Sequence, residues 1–136
     1  METITKSVGL WLKQRQKILV ALNNLAGLLP HGIPKNAVSL TNFFQLLVDY
    51  TCAGHLQIFT LFIKKDDPNF KLTKNILKDI NRTTNFIIQI NYKFNKIHNI
   101  SAHDITQLLE QFANRIELED SLLRIQFNKI HKNYIN

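Results

Sequence analysis

Cys52 and His55 stand three residues apart in the stretch LLVDYTCAGHLQIF, residues 46–59. On one helix face a thiol and an imidazole at that spacing touch, which is the geometry a thiolate nucleophile needs. Nothing else in the chain completes that chemistry. The four glycines (Gly9, Gly27, Gly32 and Gly54) are isolated, so no glycine loop cradles a phosphate, and no third group orients the histidine or builds an oxyanion hole. No catalytic residue is expected, and Cys52 reads as a small buried apolar side chain. The histidines His31, His55, His98, His103 and His131 include no i,i+4 pair and no Glu-x-x-His. No metal site and no cofactor are expected.

The same stretch raises a different question, because Asp49, Gly54 and His55 interrupt an apolar run that a buried helix would keep intact. Gly54 costs roughly 1 kcal/mol against alanine in a helix, which suggests a close approach by another helix or a partner. Asp49 and His55 serve either an internal hydrogen bond or a docking surface, and spacing alone leaves both open.

Long helical patterns position these residues. Val8, Trp11, Leu12, Ile18, Leu19, Leu22, Leu25 and Leu29 recur at three and four, predicting a helix over about 6–29 that Pro30, Gly32 and Pro34 end. A second helix, about 39–66, opens at Ser39 or Thr41 and stops at Lys64-Lys65-Asp66-Asp67-Pro68. Its wide apolar face implies two neighbours. The pattern Ile76, Leu77, Ile80, Ile87, Ile90, Phe94 predicts a third helix over about 72–97. Ile105, Leu108, Leu109, Phe112, Ile116, Leu123 and Phe127 predict a fourth over about 103–134, opened by Ser101 or His103-Asp104. Four long helices with short connections imply an all-α, antiparallel up-down-up-down four-helix bundle, one domain spanning 1–136.

Counting along these helices places Arg15 on the line of Trp11, Ile18 and Leu22, and Glu119 between Ile116 and Leu123. A charge on such a seam must be paired, reach the edge, or meet a partner. Arg15, Asp49, His55 and Glu119 are expected to form a small network at one end of the bundle, while Trp11 reads as core or rim packing.

The 17 Lys and Arg against 10 Asp and Glu give a net charge of +7. From Asp104 to Asp120 five acids face one base, four negative net, which leaves +11 on the remainder. Direct nucleic-acid binding has only this bulk charge behind it, because the bases spread over all four expected helices and no short turn presents a recognition helix. It stands as the alternative function. With no secretory leader pattern, no membrane-spanning apolar run and a single cysteine, a cytoplasmic location is expected.

LLVDYTCAGHLQIF resembles the signature of the regulator of sigma D (Rsd/AlgQ) family of bacterial anti-sigma proteins, whose second helix carries Leu-Val-Asp-Tyr-x-x-Ala-Gly-His. Trp11-Leu12-x-x-Arg15, with Ile18-Leu19-Val20-Ala21 and Asn24-Leu25-x-Gly27, is similar to the family's first helix. Arg115-Ile116-x-Leu118-Glu119-Asp120-x-Leu122 is similar to its last. The resemblance implies a non-enzymatic helical bundle that binds the C-terminal, −35-recognising region of the housekeeping sigma factor, one to one, and keeps it from core polymerase and promoter DNA. Carried over by position, it implies Asp49 at the interface, with Tyr50 and His55 shaping the same surface and Trp11, Arg15, Glu119 and Asp120 as further contacts. The acidic stretch Asp104 to Asp120 would complement a basic, DNA-reading region. The chain departs from the family pattern in its positive net charge, in Leu56 where phenylalanine is usual, in Thr60 where an acid is usual, and across residues 64–100.

Overall fold

A computed structural model describes residues 2–27, 37–53, 59, 67–97 and 100–135. They form α1 (Glu2–Gly27), α2 (Ala37–Ala53), α3 (Phe70–Ile97) and α4 (Ala102–Ile135), and no strand occurs among the described residues. The helices start one to four residues ahead of the expected bounds, most of that difference being within the usual scatter of helix ends. Gly54, His55, His31 and His98 lie outside the described residues, as does the expected continuation of the second helix to 66, Phe59 excepted.

Two helix starts are built by side chains. Ahead of α3, the Asp67 carboxylate accepts the Asn69 N–H at 2.9 Å and its carbonyl accepts the Phe70 N–H at 3.0 Å, closing a turn around Pro68. At α4, the Ser101 hydroxyl accepts the Asp104 N–H at 3.0 Å, and the Asp104 carboxylate accepts the Ser101 N–H at 3.2 Å. This reciprocal pair is a capping box with aspartate in the return position. Lys93 of α3 donates to the same carboxylate at 2.9 Å, so the cap also ties α3 to α4.

Burial disfavours the Asp104 charge, but the Lys93 ammonium and the Ser101 bonds outweigh it and hold the carboxyl below its usual value. The unfolded chain then binds this proton more tightly. The contribution to stability is complete above the unfolded value, about 4, and is lost as pH falls through the lower folded value. Asp104→Asn is expected to cost about 1 kcal/mol at neutral pH. The variant should also show a shallower loss of stability below about pH 4 in denaturant titrations; identical acid limbs would remove Asp104 from that role.

The core runs along the middle of all four helices. Ile18, Leu22, Phe44, Leu47, Ile80, Ile87, Phe94, Ile105, Leu108, Phe112 and Leu122 are fully enclosed. Each helix packs on its chain neighbours, and α1 also touches α4, which closes the ring. Aromatic pairs fasten α2: Phe44 stacks on Phe94 of α3 at 4.8 Å between centroids, and Tyr50 stacks on Trp11 of α1 at 5.2 Å. Phe59 meets the edge of Trp11 at 5.4 Å. No helix among the described residues is long and apolar enough to cross a membrane.

Candidate partner-binding site

One line of α4 carries the feature that organises the site. Leu108, Phe112, Arg115, Glu119 and Leu122 follow one another at four, three, four and three, and all are buried to within 1% of complete. Two of those five side chains are ionised groups, and a charge without water must find its partners inside the protein. Arg115 Nε donates to Glu119 Oε2 at 2.9 Å, one turn along the helix. Arg115 Nη1 reaches α3, donating to the Thr84 hydroxyl at 2.6 Å, to the Thr83 hydroxyl at 3.1 Å and to the Ile80 carbonyl at 3.4 Å. Its guanidinium carbon lies 6.0 Å from the Phe59 ring centroid, and Nη2 finds no acceptor among the described residues.

Glu119 extends the connection to the other two helices. Its Oε1 accepts the Tyr50 hydroxyl of α2 at 2.5 Å and lies 3.5 Å from Arg15 Nη1 of α1. Arg15 donates onward to Asp120 Oδ1 at 2.9 Å. All four helices are thus joined through one buried carboxylate and one buried guanidinium. Burial and the Glu119 charge push the Tyr50 hydroxyl far above its ordinary range, so it stays a donor at every working pH. Burial pushes the Glu119 carboxyl up, while Arg115, the Tyr50 hydroxyl and Arg15 pull against it.

These contacts correct several expectations. Arg15 and Glu119 do meet, but Asp49 is not part of their network, and His55 lies outside the described residues. Trp11, Tyr50 and Glu119 are buried, and their contacts set the positions of other residues. The reason is angular. Tyr50 faces Trp11 and Glu119, and its neighbour Asp49 is turned about 100° away, toward solvent. Of the expected contacts, Asp49 is exposed, the Asp120 side chain is 42% accessible and that of Arg15 16%. Nor is the acidic stretch of α4 one surface: Asp104 and Glu119 are buried, Glu110 and Glu117 are exposed, and Asp120 is partly so.

Cys52, expected to be buried, is exposed one turn from Asp49. Arg115 was not expected in the network at all. Its signal is the spacing 105, 108, 112, 115, 119, 122, an uninterrupted core line once Arg115 and Glu119 are allowed to stand on it as a pair. No group of three His, Cys, Asp or Glu side chains among the described residues is placed to hold a metal ion.

With this geometry in hand, the chain matches over residues 1–126 the family described as "Regulator of RNA polymerase sigma(70) subunit, Rsd/AlgQ". Among curated proteins it is similar to "Regulator of sigma D" of Yersinia pseudotuberculosis serotype O:1b (strain IP 31758), 28% identical over 144 aligned positions that cover 91% of this chain and 85% of the relative. It is also similar to "Regulator of sigma D" of Salmonella paratyphi B (strain ATCC BAA-1250 / SPB7), 29% identical over 151 positions that cover 96% and 92%. No solved structure gives a significant match.

Proposed function

We propose, on the premise that the chain belongs to the Rsd/AlgQ family of regulators of the RNA polymerase sigma(70) subunit, that it captures the C-terminal, −35-recognising region of the housekeeping sigma factor. The complex is one to one and holds sigma away from core polymerase and promoter DNA. The protein works in the cytoplasm as a single non-enzymatic domain over residues 1–136, its helices running up, down, up and down. The passage of four residues between Ile97 and Ala102 supports the antiparallel course of α3 and α4.

The observation that carries this reading is the setting of Asp49. Tyr50 is locked by its stack on Trp11 and its bond to Glu119, which fixes the rotation of α2. That rotation presents Asp49 outward, where its carboxylate accepts a 2.9 Å bond from Gln45 of the same helix and forms no salt bridge among the described residues. A negative group held in a fixed place and not neutralised at home is suited to a basic, DNA-reading surface, where it selects register and speeds encounter. The buried network is therefore the scaffold of the site rather than the site itself.

Calorimetric titration with the isolated sigma C-terminal region tests the reading, with one site per chain expected. Cys52, the sole cysteine, supplies a second arm. The folded protein is expected to take up one equivalent of maleimide without denaturant, and a bulky adduct one turn from Asp49 should block the complex. Absence of binding heat would sink the proposal; undiminished binding by the adduct would move the interface off α2.

A further inference from the structure

The outward face of α3 carries a second surface, distinct from the α2 site. Six of the chain's 17 basic residues lie in this helix, Lys71, Lys74, Lys78, Arg82, Lys93 and Lys96, against one acid, Asp79. The described part of α2 holds no base and α3 is +5, while Lys64 and Lys65, expected at the end of the second helix, lie outside the described residues. At about 100° per residue, all six fall within an arc of about 100°. That arc stands opposite the buried line of Ile80, Ile87 and Phe94. From Lys71 to Lys96 the stripe runs about 37 Å at 1.5 Å per residue. Exposed Asn75, Asn85, Gln89 and Tyr92 fill the same arc with hydrogen-bond donors.

Internal contacts account for only part of this stripe, among them the Lys74 ammonium 5.3 Å from the Phe70 ring centroid. Lys74, Lys78 and Arg82 follow at i,i+4, and Lys71–Lys74 and Lys93–Lys96 at i,i+3, spacings at which like charges repel. Arg82 is offset by Asp79 at 3.3 Å and Lys93 by Asp104 at 2.9 Å. Lys71, Lys74, Lys78 and Lys96 form no salt bridge among the described residues. A folded chain that bears this repulsion along one straight edge is matched to a straight polyanion. The stripe's length is close to one turn of duplex, about 34 Å, and a single exposed aromatic on the face argues against single strands, which are held by stacking platforms.

We propose that the outer face of α3 binds the phosphate backbone of double-stranded DNA, without reading its sequence. The contact is independent of sigma capture through α2.

Fluorescence anisotropy with a labelled mixed-sequence duplex, titrated at 50 to 200 mM KCl, tests it. Four neutralised phosphates predict a slope of log K against log salt of about −3.6, hence a loss of affinity on the order of 150-fold across that range. The variant carrying Lys71→Gln, Lys74→Gln, Lys78→Gln and Lys96→Gln is expected to bind at least about 100-fold more weakly at 50 mM, with a nearly flat slope. Its helical circular dichroism and its titration with the sigma region should be unchanged. A matched variant with Lys6→Gln, Lys13→Gln, Lys17→Gln and Arg124→Gln, exposed residues of α1 and α4, should retain affinity within about fivefold. Equal losses in the two variants would reduce the effect to bulk charge and overturn the proposal. Three further results would also overturn it: no duplex binding at 50 mM, tighter binding to single strands, double-stranded RNA or phosphatidylserine vesicles, or parallel loss of sigma-region binding in the α3 variant.

Discussion

Arg115→Ala is expected to lower the unfolding free energy by about 3–5 kcal/mol, the range for removing one partner of a buried ion pair. The truncation leaves Glu119 enclosed with the Tyr50 hydroxyl and with Arg15 at 3.5 Å, and removes the donor that the Thr84 hydroxyl accepts from on α3. It also empties a large volume, since Arg115 is the largest fully buried side chain among the described residues. A loss of this size takes a large part of the 5–15 kcal/mol typical of a folded domain. Trp11, the sole tryptophan, stacked on Tyr50 beside the network, reports the transition by its fluorescence.

The pair's worth is separated from its loss by replacing both members. Arg115→Met with Glu119→Leu fills the space with apolar groups and removes both charges, and is expected to be at least about 2 kcal/mol more stable than Arg115→Ala alone. That ordering would identify the unpaired carboxylate, rather than a missing attraction, as the main source of the damage. If Arg115→Ala unfolds within about 1 kcal/mol of the parent, the four-helix connection is dispensable and the rotation of α2 has another cause.

The helices were legible because each repeats apolar residues at three and four over several turns, a signal that survives single polar intrusions. The polar network was legible only in part. Arg15 and Glu119 are visible as charges on apolar lines, but periodicity does not say which charge faces which, because that depends on the relative rotation of four helices. Asp49 and Tyr50 show the limit most clearly. The two are adjacent in one motif, yet a turn of about 100° sends one to solvent and the other to the core. The stacking partner that fixes the turn, Trp11, is 39 positions away. Cys52 was misplaced for the same reason, since the average burial of cysteine carries no information on the rotation of this helix. The stripe on α3 is invisible along the chain, where its bases stand three to eleven residues apart, and appears only around the helix.

Asp49→Lys is expected to weaken the complex with the sigma C-terminal region by about 100-fold, and Asp49→Ala by about tenfold, or about 1.4 kcal/mol. The alanine variant removes one attractive charge, whereas lysine also sets a repulsive one against a basic surface. Most of the change from lysine should appear in the association rate at low salt and shrink as salt is added, because an exposed charge acts through a screened field. Stability should move little in either variant, within about 0.5 kcal/mol, since the only side-chain bond lost among the described residues is the exposed one to Gln45. A destabilising substitution at Tyr50 would also weaken binding, but by letting α2 rotate, and its effect would follow the melting curve. Unchanged folding with lost binding is therefore the result that distinguishes a contact residue from a scaffold residue. Normal binding by Asp49→Lys would exclude this face of α2 from the interface, whatever the fate of the rest of the bundle.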